Sequence, residues 1–226
     1  MNNNKSTPGG PRVRPPRLPR KATGRDVIGG YVQSRERYAS LALNNVNLAD
    51  QAASHPAFVE TSFQQVVLAN TEFEEMQLDD VRFSSCDLAT AVWYKTVWHR
   101  VELVGCRMTG FMAGEAHFED VLFKDCLLSL SQLRFATLKS VRFEHCDLSE
   151  ADLLEANLSD VSFVDCNLRQ AELTGTQLAG IDLSTCNIDG ARLGPKELRG
   201  SSLNHAQALA LIEAMGITIT THTPTT

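Results

Sequence analysis

The stretch CDLSEADLLEANLSDVSFVDCNL, residues 146–168, places Leu148, Leu153, Leu158, Phe163 and Leu168 at every fifth position. Five is neither the 3.6-residue period of a helix nor the two-residue period of a strand. A spacing this regular points to a repeating unit, which takes precedence over local elements. From Leu43 to Leu203 there are thirty-three positions in steps of five, and thirty-one hold Leu, Ile, Phe, Met or Trp; Ala53 and Ala113 are the exceptions. Ordinary composition would fill roughly a quarter to a third of them.

Two residues before each large residue runs a second column that is mostly small, with Ala151, Ala156, Ala171 and Ala191 beside Val81, Val101, Val121, Val141 and Val161. The remaining places are largely polar, so each unit reads small-polar-large-polar-polar. Cys86, Cys106, Cys126, Cys146, Cys166 and Cys186 stand twenty residues apart, and Phe63, Phe83, Phe123, Phe143 and Phe163 keep the same phase. Four five-residue sides per turn make a square coil that lays residue n over residue n+20. Coils stacked at ~4.8 Å would give about eight turns in a rod roughly 40 Å long.

The units ADLLE, ANLSD and AELTG resemble the pentapeptide-repeat family, whose typical unit is Ala-(Asp/Asn)-Leu-X-X. The resemblance covers about 160 residues. It implies an all-β solenoid, a right-handed quadrilateral β-helix over residues 41–203, with the handedness resting on the resemblance alone. Residues 204–220 break the rhythm. Asn204 suits an N-cap, 205–215 a helix and Gly216 the position beyond its end, with Ile217 and Ile219 in a short extended segment after it. Capping an open hydrophobic end is reason enough for such a segment.

The net charge of −6 hides an asymmetry: residues 1–40 carry nine Lys/Arg against two Asp/Glu, and the rest of the chain carries −13. Residues 1–25, rich in Pro, Gly and Arg, have little to bury and are expected to be disordered. Contacts of Arg12, Arg14, Arg17 and Arg20 with anions, or a fold-back onto the acidic body, are the other courses open to them. Residues 26–40 form an N-terminal cap or linker, where Val27, Ile28, Tyr31 and Tyr38 could cover the first coil. Residues 221–226 are read as a second disordered tail. No apolar run reaches membrane-span length and no signal-type core stands near the start; a cytoplasmic protein is expected.

Catalytic chemistry finds little support. The six cysteines would be reduced, buried small hydrophobes, because parallel inward side chains give the wrong disulfide dihedral and no close Cys/His pairing suggests zinc. In His145-Cys146-Asp147 the cysteine points inward and its neighbours outward, out of nucleophile–base reach. No phosphate loop or nucleophile elbow appears. The expectation is a non-enzymatic chain without metal or cofactor.

Function then falls to the surface. One edge is acidic through Glu60, Asp80, Asp120 and Asp160, flanked by Asp79 and Glu119; a second carries Glu75, Glu115 and Glu155; Asp125 and Asp165 lie on a third. Such carboxylates either solubilise the rod or offer charge spaced on the scale of DNA phosphates. Val92, Tyr94, Val97 and Met112 take outward places near Trp93 and Trp98, while Phe111 stands in the small column and Ala113 in the large one. They form either an apolar partner patch or a coil under modest packing strain. The stretch QAASHPAF, 51–58, is the one irregular enough to protrude.

The run QALALIEAMGI, Gln207–Ile217, resembles the C-terminal segment of the quinolone-resistance pentapeptide proteins and the mycobacterial gyrase inhibitor. That resemblance implies an end-to-end homodimer through Leu209, Leu211, Ile212, Met215, Ile217 and Ile219. It also implies an acidic DNA mimic that binds DNA gyrase or topoisomerase IV and confers resistance to poisons such as quinolones. The unbroken phase from 43 to 203 is nearer the loop-free mycobacterial type. The rival expectation is a scaffold for another protein partner. The acidic body itself would repel nucleic acid.

Overall fold

The computed structural model describes residues 10–19, 31–218 and 220. Its strands in chain order are β1 (Arg37–Ala39), β2 (Ala42–Asn44), β3 (Ala52–Ser54), β4 (Ala57–Gln64), β5 (Glu72–Glu74), β6 (Gln77–Ser84), β7 (Val97–Val104), β8 (His117–Lys124), β9 (Thr137–Glu144) and β10 (Asn157–Val164), followed by helix α1 (His205–Ala214). Every pairing is parallel and joins residue n to residue n+20, as in Phe63↔Phe83, Val101↔Val121 and Phe143↔Phe163. Two adjacent faces make up the ladder β4-β6-β7-β8-β9-β10, whose strands each turn a corner midway, with β1 and β2 both on β4; β3 and β5 pair separately. The ladder makes about six turns, and isolated bridges such as Val92↔Met112 and Asp182↔Ser202 carry its register onward.

The five-residue period has a backbone cause. Every fifth residue from Arg35 to Gly180 has φ between 50° and 80°. One left-handed residue between extended ones turns the chain at a corner, and five residues later it turns again. Non-glycine residues resist this conformation by about 1–2 kcal/mol each. The ladder hydrogen bonds and the core burial that the corners permit offset that cost. Asp80, Asp120 and Asn70, whose short polar side chains tolerate the conformation, and Gly105 and Gly175 stand at such corners.

Between corners, both inward columns fill the interior. Leu148, Leu153, Phe163 and Leu168 are buried, Leu158 is half-buried, and all six cysteines are buried and free. Stacked rings follow the Phe column, with Phe123–Phe143 at 4.8 Å and Phe143–Phe163 at 5.1 Å, both within 6° of parallel. Small-column threonines satisfy their hydroxyls locally: Thr71 Oγ1 donates to the Leu68 carbonyl at 2.8 Å. Leu103 interrupts the Phe column, and there the Phe111/Ala113 exchange takes up the space. Phe111 is fully buried and meets Trp93 and Trp98 edge-on at 5.5 and 6.2 Å. The indole N–H groups are satisfied by Thr71 Oγ1 and Thr96 Oγ1.

Both ends are covered. Tyr38 stacks on Phe58 at 5.0 Å and accepts from the Gln33 N–H. Tyr31 is exposed, and Val27 and Ile28 lie outside the described residues. At the other end Asn204 is the N-cap of α1, and Gln207 completes a capping box with it. Gln207 Nε2 also donates to the Leu183 and Cys186 carbonyls, which fastens α1 to the last coil.

Two expectations are corrected. Residues 51–58 do not protrude: Ala53 and Pro56 are buried, and the Pro56 carbonyl accepts from Gln77 within the coil. No strand follows α1 at Ile217 and Thr218, since an extended segment needs a paired edge to satisfy its backbone; Ile219 lies outside the described residues. No helix among the described residues is long and apolar enough to cross a membrane.

Candidate partner-binding faces

The register turns sequence phase into surface columns. Reading every fourth corner gives Glu60, Asp80, Arg100, Asp120, Ser140 and Asp160, so the first acidic edge has an arginine inside it. Arg100 holds Asp80 through Nε and Nη2, both at 2.6 Å, and reaches Asp79 at 2.7 Å. In the neighbouring column Asp79 and Glu119 also alternate with nitrogen-bearing side chains: His99 Nδ1 lies 3.0 Å from Asp79, and Lys139 Nζ donates to Glu119 at 2.9 Å. Asp80 and Asp120 are buried, whereas Asp79 and Glu119 keep nearly half of their side chains exposed. Glu60 and Asp160 accept from Ser40 and Ser140.

These neighbours set the protonation. Burial works against the charge of Asp80, but the Arg100 hydrogen bonds and the Arg17 N–H outweigh it and hold the carboxyl below its ordinary range. The Lys139 hydrogen bond lowers Glu119. His99, Arg100 and Lys139 were missed by reading acidic positions alone. The signal was present in the twenty-residue phase, had every member of the column been read.

The second edge is mixed in the same way. His55 Nε2 lies 2.8 Å from Glu75, and Lys95 Nζ 3.8 Å from Glu115. Glu155 packs beside Gly175, where an added Cβ would meet its Cγ at 2.9 Å. On the third edge Asp125 is exposed, and Asp165 faces His145 at 3.7 Å.

Val92 and Met112 pair directly and are half-buried; Tyr94 and Val97 are exposed, on either side of the Lys95 corner. Tyr94 lies against Gly114, bonds Glu115 through its hydroxyl and carries Lys95 over its ring. Leu127, Leu130 and Phe135, each about half exposed, extend apolar surface onto later coils. They also escaped the sequence reading, because an apolar residue at an outward place, as at the corners Leu130 and Phe135, breaks the polar pattern without breaking the phase.

Disorder is the expectation for residues 1–25, but residues 10–19 lie on the rod, held by hydrogen bonds and an ion pair to its buried carboxylates. The Arg14 guanidinium pairs with Asp120, its backbone N–H donates to the same carboxylate, and the Arg17 N–H donates to Asp80. Pro11 is buried against the rod.

None of this assembles a reaction centre. Among the described residues no cluster of His, Cys, Asp or Glu could hold a metal. His145 sits at an exposed corner and Cys146 is buried. All six sulfurs donate to backbone carbonyls, for example Cys126 to Lys124 at 3.3 Å and Cys146 to Phe123 at 3.5 Å. They therefore act as protonated thiols. Hydrogen bonding along the file, together with burial, pushes Cys106, Cys146 and Cys186 well above the ordinary thiol range.

Residues 116–193 match the family described as a pentapeptide repeat region. The solenoid is a pentapeptide-repeat β-helix. Its likenesses among solved structures include full-length QnrB1, a plasmid-mediated fluoroquinolone resistance protein, at 18% identity and TM-score 0.35, covering 80% of this chain and 100% of that one. HetL of the cyanobacterium Nostoc sp. strain PCC 7120, involved in heterocyst differentiation regulation, matches at 19% identity and TM-score 0.36 over 79% and 94% of the two chains. Rfr23 of the cyanobacterium Cyanothece 51142 matches at 14% identity and TM-score 0.23 over 79% and 95%. No curated protein matches the chain. The expected dimer residues divide. Leu209, Leu211 and Ile212 are half-buried, with Leu211 packed on the core, whereas Met215 and Ile217 are exposed.

Proposed function

We propose that this pentapeptide-repeat rod is a non-catalytic binding protein whose partner presents a basic surface. The observation that carries the reading is the disposition of Glu75, Asp79, Glu115 and Glu119, four carboxylates with close to half of each side chain open to solvent on a rigid straight lattice. A convex rod has no cleft in which to desolvate a reactive group, but it fixes charges at multiples of ~4.8 Å. Such a lattice complements a partner built to hold regularly spaced anions. The interleaved His99, Arg100 and Lys139 reduce the net field and make the pattern of charges, rather than their sum, the basis of selection.

The specific partner we favour is the DNA-binding surface of DNA gyrase or topoisomerase IV, with the rod acting as a DNA mimic and protecting against quinolone-type poisons. Support comes from the C-terminal segment: α1 is fastened to the last coil while Met215 and Ile217 remain exposed, as an end-to-end homodimer would require. The test is immobilised full-length protein against purified gyrase, with supercoiling assayed with and without a quinolone at two ionic strengths. Binding that weakens with salt, together with inhibition or protection, supports this partner. Absence of all three removes the topoisomerase and leaves a scaffold for another basic protein, which salt-dependent capture from lysate would then identify.

A further inference from the structure

One face of the rod already holds a peptide. Asp80 and Asp120 belong to one corner column, two coils apart, a separation of ~9.6 Å at the usual strand spacing. Arg14 and Arg17 are three residues apart, and three residues of polyproline II helix advance ~9.3 Å. The match is realised in the bonds: the Arg14 N–H donates to Asp120 Oδ1 at 3.3 Å and the Arg17 N–H to Asp80 Oδ1 at 2.8 Å. The two residues between are Pro15 and Pro16, which have no N–H to leave unsatisfied. Arg14 adds Nε to Asp120 Oδ2 at 2.6 Å.

The rod side of this contact is built for it. Arg100, on the coil between, saturates Asp80 with a two-pronged bond. Asp120, only 4% exposed at its side chain, draws its side-chain hydrogen bonds from Arg14. The docked strand both covers the Asp120 carboxylate and supplies its partners, so burial and pairing arrive together, as a buried charge requires. Further along, a Cβ placed on Gly10 would lie 3.7 Å from Ser162 Oγ and 4.0 Å from Arg142 Nη1, so the strand continues along the same ladder.

We propose that the Asp80–Asp120 face is a recognition groove for extended arginine–proline peptides in the register Arg-Pro-Pro-Arg. Residues 10–19 occupy it in cis, and a peptide of this chemistry on another protein binds by displacing them. This holds irrespective of the topoisomerase reading, which concerns the exposed carboxylates on the neighbouring columns.

The test uses the full chain and a fluorescent peptide of residues 10–19, followed by anisotropy. Arg14→Glu, on the exposed tail, undocks the cis strand and leaves the groove intact. It is expected to bind the peptide about tenfold or more tightly than the wild type, because the competent fraction rises. Asp120→Asn in that background is expected to abolish the gain, with circular dichroism showing that the rod is folded. A peptide of the same composition with its arginines moved out of the i, i+3 spacing is the control. In the wild-type chain, tryptic cleavage at Arg17–Leu18 should be slow, and faster in Arg14→Glu. No peptide uptake by Arg14→Glu, or equal uptake of the respaced peptide, would overturn the proposal.

Discussion

Arg100 grips Asp80 one coil below it with Nε and Nη2, each at 2.6 Å, and both side chains are about nine-tenths buried. The pair joins consecutive rungs at a corner where the backbone is left-handed in both residues. Removing one partner leaves an uncompensated buried charge, which is the expensive way to break such a pair. Arg100→Met is therefore expected to lower unfolding free energy by about 3 kcal/mol, measured in urea. The double variant with Asp80→Asn should recover a large part of that loss.

The same carboxyl supplies a pH dependence. Its folded-state pKa lies below the ordinary 3.8, through Arg100 and the Arg17 N–H acting against burial. Folding therefore favours the charged form. The contribution is complete above pH 3.8 and is lost as pH falls below that value through the folded-state pKa. The stability gap between wild type and Asp80→Asn should be constant from about pH 7 to about pH 5 and close in stronger acid. Unfolding curves at four pH values check it.

At the crossed coil, Phe111 is fully buried and packs edge-on against both Trp93 and Trp98. Phe111→Ala alone opens a cavity and should cost about 4 kcal/mol. Ala113→Phe alone overpacks and should cost about 2 kcal/mol. The exchange of both restores the ordinary small-large order, and its cost should fall well below the sum of the two. A double-mutant cycle by chemical denaturation measures the coupling.

Asn204 caps α1 and also donates to the Ser184 carbonyl. Asn204→Ala should destabilise the helix by about 1 kcal/mol and raise hydrogen exchange in α1 while the coils keep their protection. Under the dimer proposal, Met215→Glu with Ile217→Glu should convert a dimer into a folded monomer, read by sedimentation equilibrium. A wild-type chain that sediments as a monomer would refute the dimer.

The period of five, the stack of twenty, the six-cysteine file and the capped helix were all legible in the residues, because each is a constraint that every coil repeats. The faces were legible only in part. Asp79, Asp80, Glu119 and Asp120 fall in two adjacent columns, with Asp80 and Asp120 buried and Asp79 and Glu119 half exposed. Their pairing, however, depended on His99, Arg100 and Lys139, which share their phase, and on Arg14 and Arg17, which share nothing with it. Leu130 and Phe135 show the same limit from the apolar side: a corner tolerates them without disturbing the core, so no rhythm betrays them.

By itself the sequence determined where each side chain points, since a left-handed corner every fifth residue leaves only two inward places per side and stacking repeats them without slip. Only the tertiary structure decided which outward charges are free. Whether a carboxylate meets solvent, a base on the next coil or an arginine from a distant tail depends on distances of a few ångströms between residues separated by twenty or by a hundred. No periodicity along the chain encodes those distances.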